Sequence, residues 1–197
     1  MNGIVVVCGL PGVGKTTFAR WLAEDLDAAH LRTDVIRKEM FDEPTYSTAE
    51  SEAVYDELLA RGSELLRDGQ AVVLDGTYRK QVQRYEAKEL ADDHGVPCLF
   101  YKVECDRDVV QQRLADRTDD ASDADWDIHQ RLTFDKLERP HMLVDNTPEE
   151  PDWTHPDLVE IEPTDGKPSD HIDVDDYHTL LADDRESDGT HEETGDA

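Results

Sequence analysis

Three short runs, residues 4–7 (IVVV), 71–74 (AVVL) and 99–103 (LFYKV), are apolar with hardly a polar interruption. Strands that are apolar on both sides belong inside a parallel sheet covered on both faces. Between these runs the period becomes helical. Residues 16–26 predict an amphipathic helix, 29–32 a short second strand and 35–41 a short helix. Ser47 with Glu50 three places on has the pattern of a capping box. Behind it Val54, Leu58, Leu65 and Leu66 form one helical stripe, and Gly69 stops it. Residues 79–91 read as a further helix. Asp106 is placed to cap a helix over 107–116, and Ser122 to cap one over 125–138. Residues 117–125, polar and free of glycine, read as a mobile loop, and 141–144 as a last core strand. Strands alternating with helices predict βαβ units: an α/β fold with a parallel sheet and helices on both faces.

After Asn146 this pattern decays. Residues 158–161 suit an added strand and 174–182 a helix. The expected organisation is one domain over 1–150, an extension over 151–182 packed on it, and a disordered acidic tail over 183–197, too charged to bury a core. No internal repeat is visible.

Composition changes the picture in one respect. The chain carries 20 Lys and Arg against 48 Asp and Glu, a net charge of −28 over 197 residues. The last 49 residues hold −16 of it and the rest −12, so acidity pervades the whole chain. Only seven of the basic residues are Lys. This bias resembles that of proteins from salt-loving archaea, where screening shortens the reach of self-repulsion. Cys8, Cys98 and Cys105 sit in or beside apolar runs, without metal-site spacing, and read as buried structural thiols. Residues 1–3 lead straight into a strand and no apolar run is long enough to span a membrane, so the expected location is the cytoplasm, without membrane contact.

The chemistry begins at the end of the first strand. Gly9-Leu10-Pro11-Gly12-Val13-Gly14-Lys15-Thr16 fits G-x-x-x-x-G-K-[ST], with Thr17 opening the helix behind it. Such a loop turns successive N–H groups toward phosphate oxygens and feeds a helix N-terminus, which favours anions. Lys15 then reaches the β and γ phosphates, and the Thr16 hydroxyl is placed to bind Mg²⁺. The P-loop predicts nucleotide binding, with ATP and Mg²⁺ as the bound species. Asn-Lys-x-Asp, by which GTPases read their base, does not occur. Eight histidines are scattered without ligand spacing, so the only metal implied is the Mg²⁺ that travels with ATP.

Asp34 and Arg37, in LRTDVIR, follow the second strand. At the carboxyl edge of a parallel sheet both face the ligand crevice. A carboxylate there can take the proton of an attacking hydroxyl, and the guanidinium can grip an anionic part of the acceptor. The competing reading of Asp34 is a helix N-cap. Asp75 ends the strand of VVLDGTYR, and Arg79 follows on the same loop, either toward a substrate or merely solvated. Arg113 and Arg117, four apart, share one helix face.

The P-loop, Asp-x-x-Arg, Asp75-Gly76-Thr77 and R-L-x-x-R together resemble a family of small AAA-type P-loop kinases. Its relatives include polynucleotide 5′-hydroxyl kinases, gluconate-kinase-like proteins, chloramphenicol phosphotransferase and, more distantly, zeta toxins. The resemblance covers about residues 2–147. It implies a P-loop NTPase fold with a helical acceptor insert and a lid. It implies further that Asp34 is the general base, that Arg37 binds the acceptor, and that Asp75 is a Walker-B-like carboxylate holding Mg²⁺ with Thr16 or contacting the acceptor. Arg113 and Arg117 become lid arginines that neutralise the transferring group or stack on adenine. In nucleoside monophosphate kinases an Asp-Gly-x-x-Arg sets its arginine on the acceptor phosphate, which makes Arg79 a second substrate residue. The expected activity is transfer of the γ-phosphate of ATP to a hydroxyl, by a monomer. A polynucleotide end needs a basic channel with stacking aromatics; the insert over 39–55 contains Phe41, Tyr46 and Tyr55 but no Lys or Arg, which with the net charge of −28 favours a small-molecule acceptor. A nucleotide switch without an acceptor is the rival from another class.

Overall fold

The computed structural model describes residues 2–116 and 124–159. Twelve elements follow in order: β1 (Ile4–Cys8), α1 (Lys15–Asp25), β2 (Ala29–Arg32), α2 (Thr33–Met40), α3 (Thr48–Arg67), β3 (Val72–Asp75), α4 (Gln81–His94), β4 (Cys98–Glu104), α5 (Arg107–Ala115), α6 (Trp126–Arg131), β5 (His141–Asp145) and β6 (Asp157–Val159). The sheet runs β2-β3-β1-β4-β5-β6. The first five strands are parallel and β6 closes the edge antiparallel to β5.

Strand residues alternate between two cores. Ile4, Val6 and Cys8 of β1 point with Leu74 and Phe100 to the face covered by α2, α3 and α4, where Ile36, Val54, Leu58 and Ala87 meet them. Val5 and Val7 point with Val73 and Tyr101 to the opposite face, against Phe18 and Leu22 of α1 and Val110 of α5. Burial on both faces is why these strands read as unbroken apolar runs rather than alternating ones. The parallel register sets Val7 and Arg32 beside Asp75, so the ends of β1, β2 and β3 reach one edge together. Among the described residues no helix is long and apolar enough to cross a membrane.

Several local expectations are corrected. The capping box is half formed: the Ser47 hydroxyl accepts from the Glu50 N–H at 3.3 Å, but the Glu50 carboxylate turns away to other donors. Asp106 stands at the N-cap of α5 without a side-chain cap bond. The helix expected over 125–138 ends at Arg131, and Asp125, not Ser122, caps it through the Ile128 N–H at 2.8 Å. Residues 132–140 run irregularly because Arg84, fully buried on α4, draws in the Lys136 carbonyl at 3.2 Å and pairs with Glu138 at 2.7 Å. The helix expected over 79–91 starts only at Gln81, leaving Arg79 on a loop. Cys8 and Cys98 are buried, and burial pushes both thiols up to about 12. Cys105 is only half-buried and receives a hydrogen bond from Arg113 at 3.3 Å. The added strand spans Asp157–Val159 rather than 158–161. Ser122, the helix expected over 174–182 and the tail over 183–197 lie outside the described residues.

Candidate active site

The P-loop leaves β1 and closes on α1. Gly14 occupies the N-cap of α1 at φ 90° with no side-chain cap, and the first turn holds no acidic residue. The leading N–H groups are thereby kept for an outside anion. Only glycine fits there: the conformation is left-handed, and a Cβ would collide with the side-chain amide of Asn146. That amide donates to the Val13 carbonyl at 2.8 Å, and its oxygen accepts from Trp153 Nε1 at 3.3 Å. Trp153 itself packs against Phe18 and Trp21 of α1 with ring centroids 5.8 and 5.5 Å apart. On its other flank the loop's Pro11 carbonyl accepts from His129 Nδ1 at 2.7 Å. Lys15 Nζ donates to the Leu10 carbonyl at 2.9 Å, curled over its own loop.

Asp75 is the meeting point of three elements. Its Oδ2 accepts from Thr16 Oγ1 at 2.8 Å and lies 3.3 Å from His30 Nε2 and 3.6 Å from Arg32 Nε. Its carbonyl accepts from Thr33 Oγ1 at 3.3 Å. Gly76 follows where a Cβ would stand 2.9 Å from Thr33 Cγ2 and 3.0 Å from the Tyr55 hydroxyl. Tyr78 then takes a left-handed φ of 43° although it is not glycine. It is fully buried; its N–H donates to the Tyr55 hydroxyl at 3.0 Å and its carbonyl accepts from Arg84 Nη1 at 2.7 Å. Backbone strain of this kind persists where surrounding contacts over-determine the conformation.

Asp34 occupies the second position of α2, whose N-cap is Arg32, so it is not the cap residue. Arg37, one turn on, is buried and ion-paired to Glu50 of α3, and its guanidinium lies 4.7 Å from the centre of the Tyr46 ring. Burial alone would push the Glu50 carboxyl up. The hydroxyl and N–H of Thr45, Arg37 and the N–H of Tyr46 outweigh it and hold the carboxyl at about 2. Tyr46, at φ 55°, is thus fixed with its ring half in solvent.

One cavity of about 400 Å³ joins these parts. Of the expected phosphate-loop residues, Pro11, Gly12, Gly14, Lys15, Thr16 and Thr17 line it, whereas Gly9, Leu10 and Val13 shape the loop from behind. Asp34, Arg37, Asp75 and Arg79 line it as well. Arg113 does not: it bonds Cys105, although its Nη1 lies only 3.6 Å from where a Cβ on Gly14 would stand. Arg117 lies outside the described residues. Tyr46 and Tyr55 of the insert line it too, whereas sequence reasoning missed Lys80 as a lining residue, and Glu50 and Asn146 behind the wall. The only signal for Glu50 was its capping-box spacing, which pointed elsewhere.

An uncharacterized protein of Mycobacterium tuberculosis is 32% identical over 154 residues, covering 66% of this chain and 31% of its own length. The chain therefore spans about a third of that relative. Adenylate kinase of Bacillus subtilis is 32% identical over 125 residues, 57% of this chain and 58% of the enzyme. Among solved structures, the APS kinase CysC of Mycobacterium tuberculosis, in complex with AMPPNP and APS, superposes with a TM-score of 0.56 at 17% identity, covering 76% of this chain and 90% of that one. At that identity the likeness shows a shared fold. A family profile described as an AAA domain matches residues 4–138, which takes in β1, the P-loop and both walls of the cavity up to Glu138. Over that stretch, and by the phosphate loop that stands at its head, the chain belongs to the AAA domain family.

Proposed function

We propose that the protein is an ATP-dependent phosphotransferase that moves the γ-phosphoryl group of ATP to a hydroxyl of a small molecule. One observation carries this reading: a single cavity is lined both by the phosphate-loop residues Lys15 and Thr16 and by the carboxylate of Asp34. In the proposed reaction the acceptor oxygen forms the new bond to phosphorus, the bond to the bridging oxygen of ADP breaks, and Asp34 takes the hydroxyl proton. Such transfer asks a protein chiefly for placement and charge stabilisation. Lys15 and the free N–H groups at the start of α1 would hold the phosphates. Thr16 Oγ1 and Asp75 Oδ2, two hard oxygen donors 2.8 Å apart, suit Mg²⁺ and are the pair that would hold it. When bound, that ion neutralises phosphate charge and orients the γ-phosphate. Arg113, beside Gly14, is the described candidate for the transferring group's charge. The adenylate kinase and APS kinase names support a kinase with a low-molecular-weight acceptor. The absence of Lys and Arg from residues 39–55 argues against a nucleic-acid channel on that wall.

Asp34→Asn tests the reading. It keeps the shape and removes the base. Turnover onto an acceptor should fall about 10²–10⁴-fold, while nucleotide affinity holds. Transfer at the undiminished rate would strip Asp34 of its role. ATP consumption indifferent to every added hydroxyl compound would return the protein to the class of acceptor-free switches.

A further inference from the structure

The Asp75 carboxylate keeps company that a metal ligand does not need. Its side chain is 4% exposed, and one oxygen, Oδ2, meets three groups: Thr16 Oγ1 at 2.8 Å, His30 Nε2 at 3.3 Å and Arg32 Nε at 3.6 Å. The first is the proposed partner in holding Mg²⁺. The third is a permanent cation, itself only 17% exposed, set against the same oxygen.

Strand register puts it there. In the parallel pair of β2 and β3, His30 stands beside Val73 and Arg32 beside Asp75. Residues two apart on a strand share a face. Val73 packs with Phe18 and Leu22 of α1, so His30 and Arg32 lie on the face of the helix whose first turn carries Lys15 and Thr16. Capture of a cation does not call for this. A guanidinium repels a divalent ion, and between groups so little exposed the repulsion is weakly screened.

The charge of the chain gives the arrangement a consequence. With 48 acids against 20 bases, the surface gathers cations around it. A carboxylate paired only with Thr16 would draw a divalent ion from that atmosphere with or without nucleotide. A guanidinium on the same oxygen opposes the ion until phosphates bring negative charge of their own.

We propose that Arg32 is a charge guard on Asp75, a positioning residue that makes divalent-cation binding at the Thr16–Asp75 pair conditional on the phosphates of the nucleotide. This rests on the reading of that pair as the holder of Mg²⁺, and not on the acceptor or on transfer. Thr16 and His30, on the same oxygen, keep the carboxylate oriented when Arg32 is replaced.

The experiment titrates Mn²⁺ alone into the nucleotide-free full chain in molar KCl, with free Mn²⁺ counted by electron paramagnetic resonance. Asp75→Asn supplies the background from acids elsewhere. Above that background, Arg32→Met should bind Mn²⁺ about tenfold or more tightly than the unaltered chain, because a unit charge so close to a divalent ion is worth at least that much. Arg32→Gln, neutral but polar, should gain likewise and carries the test if Arg32→Met does not fold. Arg32→Lys keeps the charge and should stay near the unaltered chain. Arg32→Met/Asp75→Asn should lose the gain. The Mn²⁺·AMPPNP complex is net negative, so it should bind Arg32→Met no more tightly than the unaltered chain. A merely structural Arg32 predicts the opposite sign for Mn²⁺ alone, since a carboxylate left to turn away binds more weakly. Weaker or unchanged Mn²⁺ binding in the folded neutral variants overturns the guard, and so does an equal gain for Mn²⁺·AMPPNP. The reading beneath it is judged separately: Asp75→Asn should weaken Mn²⁺·AMPPNP binding. If it does not, the metal assignment falls and the guard with it; if it does while Arg32→Met gains nothing, the guard alone falls.

Discussion

Arg84→Met deletes the most deeply buried charge among the described residues while keeping the length of its stem. Arg84 is wholly buried. It pairs with Glu138 at 2.7 Å and donates to the carbonyls of Tyr78 at 2.7 Å and Lys136 at 3.2 Å. Breaking a buried ion pair by removing one partner costs about 3–5 kcal/mol. Glu138 keeps 17% of its side chain in solvent, which places its share at the low end. The stranded Tyr78 carbonyl adds about 1 kcal/mol or more. The sum is about 4 kcal/mol, a large part of the roughly 5–15 kcal/mol that holds a domain folded. At about 2–4 °C per kcal/mol, melting should fall by about 8–16 °C. Urea unfolding at fixed salt, with the slope checked for constancy, reads the free energy directly. The double variant Arg84→Met/Glu138→Leu removes both charges and should regain at least half of the loss. A single variant that loses less than about 1 kcal/mol, or a double variant less stable than the single, would refute the strut.

Glu50 predicts an acid limb. Its carboxyl is held down from 4.5 to about 2, so the stability it contributes is complete above pH 4.5 and drains away as pH falls through about 2; melting of Glu50→Gln should be less pH-dependent in that window, and parallel curves would dismiss the effect. Trp153→Phe keeps the ring contacts with Phe18 and Trp21 but loses the N–H to Asn146. Losing one such bond is worth about 0.5–1 kcal/mol, so AMPPNP binding by calorimetry should weaken about two- to fivefold; unchanged affinity would show that Asn146 holds the loop unaided. A charge of −28 makes screening stabilising, so melting should rise as KCl goes from about 0.1 M to molar concentration, where the Debye length shrinks to about 3 Å; a flat series would remove the salt-adaptation reading.

What could be read from the chain was what has a local cause. The P-loop is an eight-residue pattern with its strand and helix attached, and β2 appears at the residues where apolar spacing put it. Asp34, Arg37, Asp75 and Arg79 share a cavity because parallel strands end on one edge, a consequence of fold class. What escaped has causes far away in sequence. Nothing between Asp125 and Pro140 breaks a helix by itself; Arg84 captures that chain from more than 50 positions earlier. Glu50 satisfies a capping pattern locally, yet its carboxylate is claimed by Arg37 thirteen residues before it. The same pairing ties Arg37 to α3 at the cavity wall, a contact its spacing did not signal, while Lys80, silent as a sequence signal, stands on the wall.

The bond from Asn146 to the Val13 carbonyl spans 133 positions, and Trp153 lies beyond it. The phosphate loop therefore leaves the ribosome well before the residues that finish it. Its strand and helix are contiguous and form early, but its outer flank waits for β5, the fifth strand of the sheet, to dock. Contacts of such separation close late, because loop entropy must be spent before they reward it. Nucleotide affinity in this chain thus reports on completion of the whole sheet, and a refolding molecule regains its helices before it regains its grip on phosphate.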